Sequence, residues 1–208
     1  MRTLAIETAS EACSIALFEG DDLIARDHRV LGRGHAEALV PMIGALPDKG
    51  RAGRIIVSLG PGSFTGVRIG LATARALGFA WRAEVLGYPT LALIAAQGQA
   101  DHPGEPLTVC INGGHGEWFV QDFVGGDPEN ELRSLTPAQA VDVSARRVIA
   151  GNRAEAFADL LGDDRKVLDL LPDAAQVRLI PERLLTARLA PIYGRGADAT
   201  PMAQHKPA

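Results

Sequence analysis

The feature that most constrains the fold is the stretch IIVSLGPGSFTGVRIGLATARALGFAW, which runs from Ile55 to Trp81. The β-branched run IIVSL is typical of a buried strand in a parallel sheet. Gly60-Pro61-Gly62 supplies the backbone angles with which a chain leaves a strand sharply. A long helix is predicted from about Ser63 to Trp81. The stretch therefore predicts a strand, a tight turn and a helix of an α/β fold.

The turn at residues 60–66 could serve the helix or hold an anion. Ser63 or Thr65 can cap the helix by accepting hydrogen bonds from its first N–H groups. The same N–H groups, together with the helix dipole, can bind an anion. A purely structural turn is the alternative. The candidates for a vestigial anion- or nucleotide-binding turn are Gly60, Gly62, Ser63, Thr65 and Gly66.

Three enzymatic motifs are absent from this turn. A P-loop starting at Gly60 fails because Thr65 stands where its second glycine belongs and no lysine follows. A dinucleotide fingerprint lacks its third glycine at the same position. A nucleophile elbow around Ser63 needs glycines where Pro61 and Thr65 stand. The turn therefore predicts no catalytic residue.

The predicted helix carries a basic stripe on a small-sided surface. Arg68, Arg75 and Arg82 recur every seven residues and share one face, with Ala72 and Phe79 between them. One interpretation is a half-buried helix with a solvated basic edge. The other is a helix–helix interface with a partner, rimmed by arginines.

The remaining pattern predicts two α/β lobes. Each half of the chain has strands first, followed by a helix, a strand and a helix. The polar segment DHPGEP at 101–106 is the predicted boundary. We expect an N-terminal lobe at 1–100, a smaller lobe at 101–193 and a flexible tail at 194–208.

Composition narrows the class of protein. A formal net charge of -4 over 208 residues does not favour a chain that holds nucleic acid alone. The chain has two cysteines, Cys13 and Cys110, without metal-ligand spacing. So few cysteines favour a reducing, cytoplasmic compartment. No apolar run reaches the ~18 residues of a membrane span. We therefore expect a cytoplasmic protein without membrane attachment.

The segments LGPGSFTGVRIGLATARALGFA, AIETASEACSIALF and GRGHAEALVPMI together resemble the TsaB (YeaZ) family. The resemblance is strong over residues 3–100 and weak over 107–195, where GEWFV, LTPAQA and PIYGR carry it. It implies an actin-like ATPase (ASKHA) fold of two RNase H-like lobes, an α/β architecture.

The resemblance also implies a function. The family is a non-catalytic paralogue of TsaD and pairs with it. With the ATPase TsaE, the pair installs a threonylcarbamoyl group, donated by threonylcarbamoyl-AMP, on adenosine 37 of ANN-reading tRNAs. This chain is then expected to have no catalytic residue and to meet tRNA only through the complex. Whether the isolated chain forms a homodimer stays open.

The family's pairing surface is built from the first two helices, which here match about 35–46 and 63–82. The contact residues implied for this chain are His35, Ala38, Met42, Arg68, Ala72, Arg75 and Phe79.

The family comparison argues against a metal or nucleotide cofactor. TsaD-like relatives bind a metal through a histidine pair, but His35 is followed at i+4 by Leu39, so no metal site is expected. Glu7 replaces the aspartate that usually opens the first phosphate loop and is interpreted as a structural acid. Residual ATP or ADP binding stays open, and the alternative function is an ATP-binding phosphotransferase or ATPase. The turn Asn112–His115, where many relatives have Asp-Ala-Arg, is a departure without an assigned role.

Overall fold

Two β-sheets organise the chain in the computed structural model, which describes residues 1–100, 103–162 and 164–194. The first sheet has the order β3-β2-β1-β4-β5. Its strands are β1 (Arg2–Glu7), β2 (Ala12–Glu19), β3 (Asp22–Val30), β4 (Arg54–Ser58) and β5 (Glu84–Tyr88). The first three form an antiparallel meander, and β4 and β5 continue the sheet in parallel from β1. The predicted strand IIVSL is thus β4, beside the central strand.

Three helices cover the two faces of this sheet. They are α1 (His35–Ala45), α2 (Phe64–Trp81) and α3 (Thr90–Ala100). Leu39 of α1 and Leu71 of α2 share a core with Leu4 of β1. The next residue of β1, Ala5, points to the opposite face, where Leu93 of α3 packs. The sheet therefore has α1 and α2 on one side and α3 on the other.

The second sheet repeats the order of the first. Its strands are β6 (Leu107–Gly114), β7 (Glu117–Val124), β8 (Asp127–Pro128), β9 (Arg133–Leu135), β10 (Val148–Ala150) and β11 (Lys166–Leu168). β6 and β7 are antiparallel, β8 and β9 both pair with β7, and β10 and β11 extend the sheet in parallel from β6. The repeat predicted from the order of elements is confirmed by this matching topology.

The helix α3 lies between the two sheets. Its residues Leu91 and Ile94 share a core with the second sheet, whereas Leu93 and Ala96 face the first. The outer face of the second sheet is covered by α4 (Pro137–Ala140) and α5 (Ala154–Leu161). None of the helices among the described residues has the length and apolarity that crossing a bilayer requires.

The end of the described chain returns to the first sheet. A 3-10 helix at Ala174–Leu179 packs on the face that α3 covers. Thr186 then pairs with Gly87 of β5, and the Ile192 N–H donates to the Leu59 carbonyl at 2.7 Å. We call residues 186–194 the C-terminal segment. Of the predicted tail, residues 195–208 lie outside the described residues.

Candidate partner-binding surface and interlobe cleft

The glycine-rich turn caps α2 and binds the turn between β1 and β2. The Ser63 hydroxyl accepts from the Gly66 N–H at 3.2 Å, so Ser63 is the N-cap residue and Thr65 lies exposed in the first turn of α2. The Ser63 N–H donates to the Ala9 carbonyl at 2.7 Å. One of the N–H groups that an anion would need therefore already has a partner within the chain.

Close backbone approach explains the glycines of this turn. A Cβ atom on Gly62 would stand 2.1 Å from the Ala9 carbonyl oxygen, and one on Gly66 would stand 2.0 Å from that of Thr8. Gly60 is similarly crowded by a carbonyl of the C-terminal segment. These contacts require glycine whether or not an anion binds, so anion binding at this turn stays a prediction.

The two helices predicted to pair expose a face of small and apolar side chains. Phe79 of α2 is 89% exposed, the highest value among the large hydrophobic residues described, and Val40 of α1 is 61% exposed. Ala72 and Ala76 are exposed on the same helix as Phe79, and α1 packs beside α2. We call Val40, Ala72, Ala76 and Phe79 the pairing face. Exposed apolar surface is characteristic of interaction sites, and pairing through this face stays a prediction.

Two of the implied contact residues are buried, and Ala38 is half-buried. Met42 is 1% exposed and packs in the core below α1. His35 is 6% exposed, and its Nε2 lies 3.1 Å from the Ala12 carbonyl oxygen. We correct the prediction for Met42 and His35, because buried side chains support the helix from inside and do not reach a partner. Val40, which was not predicted as a contact, is exposed instead.

Two arginines of the stripe, Arg68 and Arg75, bind the C-terminal segment. The Arg68 guanidinium carbon lies 3.6 Å from the Phe64 ring centroid, and Nη2 donates to the Tyr193 hydroxyl at 3.2 Å. Arg75 Nη2 donates to the Leu189 carbonyl at 2.5 Å. Both side chains remain exposed, but their charges already hold this segment along α2. Their predicted role as contacts to a partner stays a prediction.

A cleft of about 340 Å³ opens between the two lobes. Its wall combines apolar side chains, including Ile94 of α3 and Ile111 of β6, with the polar side chains of Ser10, Glu11 and Asn152. Among the described residues that line it, no lysine or arginine is present, and Glu11 contributes a carboxylate. Polyphosphates are usually held by such cations, so the lining gives little support to a nucleotide site.

Glu7 lies in the core beneath the cleft wall. Its carboxylate accepts from the Ala9 N–H at 2.6 Å and from the Tyr88 hydroxyl at 2.9 Å. Burial raises the pKa of Glu7 to about 7. This side chain joins β1, the following turn and the end of β5, and it is 0% exposed. Within residues 1–100, 103–162 and 164–194, no three histidine, cysteine or acidic side chains gather as metal ligands.

Comparisons with known proteins agree with this architecture. The family model of TsaD, described as tRNA N6-adenosine threonylcarbamoyltransferase, matches residues 29–158. The Escherichia coli "tRNA threonylcarbamoyladenosine biosynthesis protein TsaB" is 28% identical over 94% of this chain and 95% of its own. The protein of the same name from Bacillus subtilis is 34% identical over 48% of this chain and 45% of its own.

A solved structure extends the likeness to three dimensions. It is a Pseudomonas aeruginosa protein described as uncharacterized, "with similarity to peptidase YEAZ". It superposes with a TM-score of 0.79 at 25% identity, over 93% of this chain and 99% of the other.

The two lobes with matching strand order, the helix between them and the interlobe cleft define an actin-like ATPase (ASKHA) fold, as predicted. Within that class, the chain belongs to the TsaB (YeaZ) family.

Proposed function

We propose that this chain is the non-catalytic partner of TsaD in forming N6-threonylcarbamoyladenosine at position 37 of ANN-reading tRNAs. The observation that carries the proposal is the pairing face, above all Phe79, which is 89% exposed. A monomer gains nothing from a phenylalanine held almost fully in water, whereas an interface buries it. Because the chain belongs to the TsaB (YeaZ) family, we seek its partner in the biosynthesis of tRNA threonylcarbamoyladenosine.

The rest of the chain supports a scaffold better than an enzyme. Glu7, at the position where the fold usually has a phosphate-loop acid, is buried and occupied by internal hydrogen bonds. The cleft offers a carboxylate, Glu11, to an incoming phosphate. We therefore propose that the chain acts in the cytoplasm without catalysis or a bound cofactor of its own. TsaE joins through the complex, and tRNA is met only there.

The pairing face sets the geometry expected of the complex. Its exposed alanines allow a helix of the partner to approach closely, and Phe79 provides one large apolar anchor. An interface of about 1,600 Å² in total is expected. The same face can join two copies of this chain when TsaD is absent, so homodimer and heterodimer would compete.

The experiment combines pairing and modification. Cells depleted of this protein are complemented with wild type, Phe79→Glu or Leu160→Glu, and threonylcarbamoyladenosine in bulk tRNA is quantified by mass spectrometry. Leu160 is the matched control, because it is 47% exposed on α5, far along the chain in the second lobe. Binding of each purified variant to TsaD is measured in parallel.

Phe79→Glu is expected to weaken TsaD binding by about tenfold or more and to lower the modified nucleoside, since it places a charge in the interface. Leu160→Glu is expected to match wild type in both. Unchanged nucleoside after depletion would overturn the pathway assignment. Normal binding by Phe79→Glu would overturn the choice of face alone.

A further inference from the structure

A hydrogen-bonded contact crosses the cleft between the lobes. The Asn152 side-chain nitrogen lies 2.8 Å and 2.9 Å from the two carboxylate oxygens of Glu11. Glu11 lies in the turn between β1 and β2 of the first lobe, and Asn152 lies between β10 and α5 of the second. Both residues line the cleft. Bonds that a carboxylate accepts are stronger than those between neutral groups.

Each side of this contact is anchored in its own lobe. The Glu11 carbonyl accepts from the Leu31 and Gly32 N–H groups at 2.9 and 3.0 Å, which fixes its backbone to the loop before α1. The Asn152 side-chain oxygen accepts from the Asn112 N–H at 2.9 Å. The backbone of Glu11 and the side chain of Asn152 are thus each held within their own lobe, and the bond between the two side chains connects the lobes at the cleft.

The hairpin between β6 and β7 belongs to the same hydrogen-bond network. The Asn112 side-chain oxygen accepts from the Gly114 N–H at 3.1 Å, and residues 112–115 form the cleft wall beside Asn152. The departure noted at Asn112–His115 therefore lies where the second lobe receives the contact with Glu11.

We infer that Glu11 and Asn152 form a clasp that holds the two lobes closed around the cleft. The helix α3, packed against both sheets, joins the lobes through the core, and the clasp joins them through polar side chains at the cleft. While it is formed, the clasp also keeps the Glu11 carboxylate in the cleft, and its negative charge repels an incoming anion.

The test exchanges the carboxylate and the amide between positions 11 and 152, in two steps. Asn152→Asp keeps an oxygen for the Asn112 N–H but sets two carboxylates against each other, which repel. Adding Glu11→Gln restores a donor and an acceptor across the cleft with the wild-type net charge. Spin labels on Ile24→Cys and Leu160→Cys, one in each lobe and both exposed, report the interlobe distance by pulsed electron resonance. Burial raises the pKa of the native Cys13 and Cys110 thiols to about 11 and 12, which keeps them unreactive toward the label.

Asn152→Asp is expected to shift the distance distribution to longer values, and the double variant Glu11→Gln/Asn152→Asp is expected to return it to that of wild type. Glu11→Ala, which removes the clasp without adding charge, should also lengthen the distances and serves if Asn152→Asp does not fold. Distances unchanged in the folded single variants, or lengthened but not restored in the double variant, would overturn the clasp.

Discussion

The backbone of Gly66 lies directly against that of Thr8, so that a Cβ atom on the glycine would stand 2.0 Å from the Thr8 carbonyl oxygen. The Thr8 hydroxyl in turn donates to the Gly66 carbonyl at 2.8 Å. Gly66→Ala should force α2 away from the β1–β2 turn. We expect it to lower the free energy of unfolding by about 2–4 kcal/mol, measured by urea denaturation.

Gly44→Ala is the control for this prediction. Gly44 is an exposed residue of α1 with nothing within 4 Å of the added methyl group. Because alanine is the better helix former, this change should stabilise the protein by about 0.5–1 kcal/mol. Equal effects of the two substitutions would mean that the contact with Thr8 relaxes without cost.

Local patterns were enough to predict the elements that carry their own signals. The glycine turn, a cap at Ser63 or Thr65 and the helix α2 lie within one continuous stretch, and the physical requirements of each are met by neighbouring residues; the structure selects Ser63 as the cap. The repeated order of strands and helices likewise predicted two lobes of one topology, because hydrophobic period and turn residues act over short distances.

Contacts between distant parts of the chain were not predictable in this way. The family resemblance implied Met42 and Ala38 as contacts on one helix, but only the packed structure shows which side of that helix faces the sheet. The arginine stripe gave no sign that Leu189 and Tyr193 would bind it, since those residues lie more than 110 positions away. The bond between Glu11 and Asn152 spans 141 positions and leaves no local pattern.

Removal of Arg75 should loosen the C-terminal segment. Arg75→Glu loses the bond to the Leu189 carbonyl, so the nearby Ile192 N–H, which donates to Leu59, should exchange with solvent several-fold faster. Hydrogen exchange with mass spectrometry measures this. Arg82→Glu changes the charge of the same stripe by the same amount and is expected to leave the segment as in wild type. A similar acceleration in both variants would assign the effect to charge alone.

Asp122 anchors a polar network inside the second lobe. It is 5% exposed, and its carboxylate accepts from the Thr108 hydroxyl and the Asn130 amide, both at 2.6 Å. Asp122→Asn would turn an N–H group toward one of these donors, and we expect a loss of about 2–3 kcal/mol in urea denaturation. Asp127→Asn, at an exposed partner of Arg183, should change stability little. Comparable losses in both would show that the buried site tolerates two facing donors.

Glu7 should make the stability of the protein depend on pH. Burial raises its pKa from 4.5 to about 7 in the folded chain. Below pH 4.5 both states hold the proton. Between 4.5 and 7 only the unfolded chain releases it, so stability falls as pH rises, by roughly 3 kcal/mol, and levels off above 7.

Glu7→Gln cannot titrate, so its free energy of unfolding relative to wild type should increase by that amount between pH 4.5 and 8. Urea denaturation across this range tests the expectation, because taking the difference cancels the titration of groups that both proteins share. Parallel curves for the two proteins would mean that folding does not raise the pKa of Glu7, because the bonds from Ala9 and Tyr88 offset the effect of burial.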